Sequence, residues 1–202
     1  VIGEYTTETK AVFLAKAQRT NSEIYFASEL ISENHPSDLT GDYQVYNQKT
    51  VLQTIEVLNS QEEFIITKDH IKTGLLNVAK NTGLQGRWQQ LGDSPKIICD
   101  TAHNKHGLEV VLNQIQKQKF EQLHIVLGVV NDKDLEEILP LFPRNAIYYF
   151  SKPNNPRGLD ATILADKARA NGLTGAVYNS ITTAYQKALE TCKDSDLIYI
   201  GG

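Results

Sequence analysis

The sequence predicts an α/β protein whose carboxyl-terminal part is a mainly parallel sheet with helices on both faces. Three observations carry that expectation. From residue 84 onward, short runs of β-branched and aromatic residues alternate with stretches of helical periodicity, the pattern of strand–helix–strand crossovers. The run His124-Ile125-Val126-Leu127-Gly128-Val129-Val130 is apolar at consecutive rather than alternate positions, as in strands covered on both sides. Asn81-Thr82-Gly83, followed by Gln85-Gly86, interrupts the pattern and places a domain boundary near residue 83.

Ahead of that boundary, Ala11, Val12, Phe13 and Ala15 suit a helix over Thr7–Lys16, with Thr6 or Thr7 as its cap. Glu23–Ala27 reads as a short buried strand, and residues 33–42, with Pro36 and Gly41, as a loop. Val51, Leu52, Ile55 and Leu58 fall on one face of a helix over Asn47–Leu58. Phe64–Thr67 is short and apolar, and His70–Val78 is a helix that ends into Asn81-Thr82-Gly83.

Beyond it, strands are predicted at Trp88–Leu91, Lys96–Asp100, Leu123–Leu127, Ala146–Phe150, Ala176–Tyr178 and Leu197–Ile200. Helices are predicted between them at Lys105–Gln118, Leu135–Leu141, Ala161–Ala170 and Ile181–Cys192. Crossovers of this kind are right-handed almost without exception, which distributes the helices over both faces.

Composition narrows the class. The 202 residues are 41% apolar, enough for packed cores in one large domain or two small ones. A net charge of -4 without a basic run argues against nucleic-acid binding. Neither a membrane-spanning apolar run nor a signal-peptide pattern occurs, so a soluble, cytoplasmic protein is expected. Cys99 and Cys192 lie within apolar patterns and read as buried thiols rather than a disulfide or metal ligands. Methionine is absent, including at position 1, and the end at Gly202 falls in a strand-like run. Both features lead to the expectation that the chain is a portion of a longer polypeptide.

The chemistry gathers in Gly86-Arg87-Trp88 and Ile98-Cys99-Asp100-Thr101-Ala102-His103-Asn104. An arginine precedes one strand, an aspartate closes the next, and a histidine and an asparagine open the following helix. In open α/β sheets ligands collect at the carboxyl ends of strands, where helix N-termini favour anions. An arginine fork for phosphate beside an aspartate for hydroxyl groups fits a nucleotide triphosphate. Each residue also has a plainer reading: Arg87 as a solvated side chain, Asp100 as a cap, His103 and Asn104 as turn and N-cap residues.

Two weaker features follow. Asp132 and Asp134, after Gly128, suit a helix start, where the macrodipole favours acidic groups. Lys152 and Arg157, in the Pro- and Gly-containing loop Ser151–Gly158, are placed either to meet an anionic substrate or simply to face solvent. Neither GxGxxG nor GxxxxGK[ST] occurs, so a nucleotide held here lacks the usual phosphate-wrapping loop within this sequence.

Together these segments resemble a known family. The run GRW…ICDTAHNKHG is similar to the GR…DGAHNP…G signature of folylpolyglutamate and dihydrofolate synthases, members of the Mur ligase superfamily. Val1-Ile2-Gly3-Glu4 with Glu8-Thr9 and Val12-Phe13, then Ile24-Tyr25-Phe26-Ala27, resemble the late part of that family's central ATPase domain. Leu39-Thr40-Gly41-Asp42-Tyr43-Gln44-Val45-Tyr46-Asn47 is similar to its L-x-G-x-Y-Q-x-x-N segment. Gly128 with Asp132-Lys133-Asp134 matches a G-x-x-x-D-K-D turn, and Arg157 falls where a P-x-x-R-A loop has its arginine.

The resemblance implies a Rossmann-like carboxyl-terminal domain over residues 84–202, preceded at 1–83 by the tail end of the α/β central ATPase domain. It implies an ATP-dependent carbon–nitrogen ligase that adds L-glutamate to folates, as a tetrahydrofolylpolyglutamate synthase alone or together with a dihydrofolate synthase activity. ATP would phosphorylate a terminal carboxylate and the glutamate amine would attack the acyl phosphate. Asn47 would contact the ATP base region, Arg87 the phosphates and Asp100 the ribose. His103, the catalytic candidate, would lie near the γ-phosphate and the incoming glutamate, Asn104 would shape that turn, and Arg157 would meet substrate. The two domains would close over the ligands. Mg2+ would accompany ATP, its ligands and the phosphate loop lying ahead of Val1, so that this portion alone would be inactive. Expected partners are folate or dihydropteroate, L-glutamate and ATP, with no nucleic acid or membrane, and a monomeric state.

Thr101 and Lys105 depart from the family, which prefers glycine and proline at those positions. The stretch between Ala27 and Leu39 is short against it, as if a surface segment were absent. Two other classes stay open: a Mur-type ligase acting on a cell-wall nucleotide precursor, and a non-catalytic nucleotide- or anion-binding domain on the same scaffold.

Overall fold

The structure, a computed structural model, describes residues 1–61 and 65–202. The chain divides into two compact units, Val1–Leu84 and Gln85–Gly202.

The first unit is largely helical. Helix α1 (Thr7–Thr20) starts in a capping box: Thr6 Oγ1 accepts from the Thr9 N–H, and Thr9 Oγ1 accepts from the Thr6 N–H. It ends at Asn21, which takes the left-handed conformation. None of its residues is buried, and Val12 is 66% exposed. The strand expected at Glu23–Ala27 is reduced to a single bridge, Phe26 pairing with Ile2 in parallel, after which Ala27 opens the short helix α2 (Ala27–Leu30). Ile2 donates to Tyr25 O and accepts from Ala27 N.

Helix α3 (Gln44–Ser60) is longer than its apolar stripe predicted, and it buries Leu52 whereas Val51 stays exposed. Helices α4 (Lys68–Leu75) and α5 (Val78–Thr82) replace the single predicted helix. The break falls at Asn77, whose side-chain amide donates to Thr73 O and whose backbone leaves the helical region. Phe64, the start of the predicted apolar run, lies outside the described residues. Ile65, Ile66 and Thr67 are irregular, with Thr67 capping α4.

The second unit bears out the mainly parallel sheet. Strands β1 (Gln89–Asp93) and β2 (Lys96–Cys99) form an antiparallel hairpin. Then follow α6 (Lys105–Gln116), β3 (Leu123–Leu127), α7 (Leu135–Ile138), β4 (Ile147–Ser151), α8 (Ala161–Ala170), β5 (Gly175–Tyr178), α9 (Ile181–Thr191) and β6 (Leu197–Gly201). The sheet order is β1-β2-β6-β3-β4-β5, parallel at every pair except β1–β2. The helix predicted at Leu135–Leu141 is one α turn continued by a 3-10 turn, Leu139–Leu141, where Pro140 lacks the N–H that an α turn would use.

Right-handed crossovers put α6, α7 and α8 on one face, because each of those connections advances across the sheet in the same direction. The return from β5 to β6 puts α9 on the other. Alternation follows suit. Ile97, Val126, Tyr149 and Ile198 pack with Ala184 and Ala188 of α9, and Ile98, Ile125, Tyr148, Phe150 and Tyr199 are buried from the opposite side. Among the described residues no helix is long and apolar enough to cross a membrane. Cys99 and Cys192 are free, half-buried thiols, and burial raises both above the ordinary thiol range.

A buried polar group sits on the α9 face, toward the amino ends of β3 and β6. His124 Nδ1 lies 2.9 Å from Tyr149 Oη, and its Nε2 3.3 Å from Asp196 Oδ2, which also accepts from Lys193 N at 2.7 Å. Desolvation, partly countered by Asp196, lowers His124. Burial pushes Asp196 up, but the Lys193 N–H and His124 outweigh it and hold the carboxyl below its usual range. Both folded values are therefore depressed, and the stability they contribute is present above the unfolded values and lost as pH falls. Stability is expected to decline once pH drops below about 6.5, where the unfolded histidine gains its proton and the buried one resists it. Urea midpoints between about pH 7 and 5 should show this decline, and His124→Gln should flatten it by up to about one proton. An unchanged slope in the variant contradicts the assignment.

Candidate functional site

The carboxyl rim of β2 is knotted to the segment entering β1. Gly86 (φ +67°) and Trp88 (φ +50°) are both left-handed, which costs a bulky residue such as tryptophan free energy and persists only where surroundings hold it. They are held by Asp100. This residue is 2% exposed, its Oδ2 accepting from Trp88 N at 2.6 Å and its Oδ1 from Ala102 N at 2.8 Å. Its own N–H donates to Ile200 O of β6, continuing the ladder beyond β2. Asp100 thus joins three segments through backbone groups. Bracing the turn is the role this geometry supports, and contact with a sugar stays an expectation of the resemblance.

Thr101 completes the knot. Its N–H and hydroxyl donate to Gly86 O at 3.0 and 3.1 Å, and a Cβ on Gly86 would meet its methyl at 2.6 Å. Arg87, exposed at the rim, donates from Nη1 to Thr101 Oγ1 and to Gly86 O. His103 Nδ1 faces Thr101 O at 2.9 Å, an arrangement in which Nδ1 carries a proton and donates to the carbonyl. Asn104 is the N-cap of α6, its Oδ1 accepting from Gly107 N at 2.8 Å. A Cβ on Gly107 would lie 3.1 Å from that oxygen, a tight contact that the Asn104 side chain would have to relieve by shifting a few tenths of an ångström. Lys105 pairs with Glu137 of α7 at 3.7 Å.

A second cluster spans the loops after β3 and β4. Asn131 N donates to Arg157 O and Leu159 N to Val129 O, with Val130 and Gly158 in an isolated antiparallel bridge. Arg157, 64% exposed, pairs with Asp132 at 3.0 Å, an exposed ion pair of little net strength that a bound anion can replace. Of the acidic residues expected to start α7, Asp134 does so, accepting from Glu136 N and Glu137 N. Lys152 is exposed.

Arg87, Asp100, His103 and Asn104 therefore share one turn, and Arg157 belongs to another part of the same rim. Asn47 belongs to the first unit, where its Nδ2 donates to Gln44 Oε1 at 2.9 Å. Sequence reasoning overlooked Thr101 as a partner of Arg87 and Asp132 as a partner of Arg157. Nothing local signalled either contact. Among the described residues no group of three or more His, Cys, Asp or Glu side chains is arranged to hold a metal ion.

A mainly parallel sheet with helices on both faces, and with an arginine, a stapled aspartate and a capped helix start at its carboxyl rim, is an α/β domain of the doubly wound class. The Mur ligase, glutamate ligase domain family matches residues 86–202, more than half of the sequence, and the chain belongs to that family. Among its relatives, a folylpolyglutamate synthase from Lacticaseibacillus casei is 27% identical over 123 residues, covering 60% of this chain and 28% of the relative. A UDP-N-acetylmuramoyl-L-alanyl-D-glutamate–2,6-diaminopimelate ligase from Halalkalibacterium halodurans is 28% identical over 173 residues, covering 81% and 33%. The solved Mycobacterium tuberculosis folylpolyglutamate synthase complexed with ADP shares the fold. Its TM-score is 0.85 at 19% identity, over 100% of this chain and 51% of that one. The chain thus spans between about a fifth and a half of the length of the relatives it matches.

Proposed function

We propose that this chain is the carboxyl-terminal portion of an ATP-dependent amide ligase that adds L-glutamate to folates, its first unit continuing a central ATPase domain. The observation carrying this reading is the turn in which Asp100 and Thr101 fix Arg87 beside the capped start of α6, within the matched domain. The γ-phosphoryl group of ATP passes to a carboxylate oxygen of the folate and ADP leaves. The glutamate amine then attacks the acyl carbon, an amide bond forms, inorganic phosphate departs and the amine gives up a proton. In this reading Arg87 meets the phosphates, Asp100 the ribose, Asn47 the base region and Arg157 the incoming amino acid.

In the same reading His103 lies near the γ-phosphate and the amine. Asn104 shapes the turn that presents them. Mg2+ accompanies the nucleotide and offsets phosphate charge, but the described residues do not form its site, so no step is assigned through it.

Arg87→Ala is expected to weaken ATP binding by about 10- to 100-fold, the loss of a charge-assisted fork. It should leave the unfolding midpoint unchanged, since the side chain is exposed. Titration calorimetry with ATP decides: equal affinity in variant and parent refutes the site. A second reading, ligation of an amino acid to a muramyl nucleotide, draws support from the match to the diaminopimelate ligase over 81% of this chain. Thermal stabilisation by L-glutamate but not by 2,6-diaminopimelate favours the folate reading, and the reverse favours its rival.

A further inference from the structure

We propose that Thr101 is a positioning residue that holds the Arg87 guanidinium in place for phosphate, an inference that rests on the nucleotide reading of this rim. The Thr101 hydroxyl has one proton and donates it to Gly86 O, at 3.1 Å. The hydroxyl oxygen is thereby turned so that its lone pairs accept from Arg87 Nη1. The same carbonyl takes the Thr101 N–H at 3.0 Å and a second contact from Nη1 at 3.3 Å. One carbonyl and one hydroxyl therefore trap a single nitrogen of the fork.

Both bonds run from Nη1, which leaves the edge formed by Nη2 and Nε, whose parallel donors match two phosphate oxygens. An arginine free in solvent loses much rotamer freedom when it clamps a ligand. Anchoring Nη1 removes part of that freedom before the ligand arrives. The anchor is itself rigid: a Cβ on Gly86 would lie 2.6 Å from the Thr101 methyl, so the methyl fills the space above Gly86, and Asp100 fixes the backbone on either side. Thr101 is exposed and, among the described residues, its hydroxyl bonds only within this turn, so its removal should be felt by Arg87 more than by the core.

The test uses the full chain labelled with nitrogen-15, reading the side-chain Nε–H relaxation of Arg87 together with ATP affinity. Thr101→Val keeps the shape and removes the hydroxyl, and Thr101→Ser keeps the hydroxyl. Thr101→Val should make the Arg87 Nε mobile and weaken ATP binding about five-fold, while Thr101→Ser restores both to near the parent values. The Arg87→Ala/Thr101→Val double variant should bind ATP no more weakly than Arg87→Ala, because the hydroxyl acts through the arginine. A mobility of Arg87 that does not respond to Thr101→Val, or losses that simply add, overturns the inference. Should Arg87→Ala itself leave ATP affinity unchanged, the nucleotide reading fails and this inference with it. Should Arg87→Ala weaken binding and Thr101→Val do nothing, only the role of Thr101 is lost.

Discussion

Asp100→Ala is expected to destabilise the second unit by about 3 kcal/mol and to abolish nucleotide binding with it. The carboxylate is buried, and its removal leaves the N–H groups of Trp88 and Ala102 without the acceptors they now use. Each orphaned buried donor costs about 1–3 kcal/mol. Trp88 adds to the effect, because its left-handed backbone (φ +50°) has the 2.6 Å bond to Asp100 as its restraint. Asp100→Asn should not rescue, since one arm of the amide is a donor and would face a backbone N–H. Urea unfolding measures the loss, with Arg87→Ala as a control that should unfold like the parent. An Asp100→Ala midpoint equal to that of the parent would show that the staple contributes nothing.

The second large effect is expected far from this rim, at Gly175→Ala. Gly175 is the register partner of Tyr148, and a Cβ there would lie 2.0 Å from Tyr148 O and 2.5 Å from its carbonyl carbon. Backbone cannot yield as a flexible side chain can. Tyr148 in turn is held on the face opposite α9, its hydroxyl donating to Pro143 O at 2.6 Å and its ring stacked on Phe150 at 5.5 Å. Strand β5 must therefore separate from β4, at a cost of about 3 kcal/mol or more. Gly74→Ala makes the opposing case: nothing lies within 4 Å of the added methyl on exposed α4, and a gain of about 0.5–1 kcal/mol is expected. Paired urea titrations should move the two midpoints in opposite directions, and a Gly175→Ala chain as stable as the parent would refute the packing argument.

Legibility followed the range of the interaction. Helices α8 and α9 and strand β3 were readable almost to the residue, because their apolar spacing and caps, Asp160 and Ser180, are local. The break at Asn77 and the shortened strand at Phe26 were not, since one depends on a side-chain bond to Thr73 and the other on pairing with the distant Ile2. Gly172 has a positive φ (+80°), whereas Gly175 is required by Tyr148 on the neighbouring strand, a constraint that no local pattern carries.

Within the site, Asn104 as a cap followed from its place before Lys105, whereas the nearness of Arg87 to Asp100 came from the antiparallel pairing of β1 with β2, which was not among the expectations. The amino-acid order alone settled the α/β class, the sequence of strands and helices in the second unit and the residue types gathered at its rim. Tertiary structure decided what each of those residues holds: Asp100 the backbone of Trp88 and Ala102, Arg87 the hydroxyl of Thr101, and Arg157 the carboxylate of Asp132. Periodicity and capping act over a few residues and are written in any short stretch of chain. A hydrogen-bond partner many residues away is chosen only when strand register and crossover handedness bring two turns to the same edge.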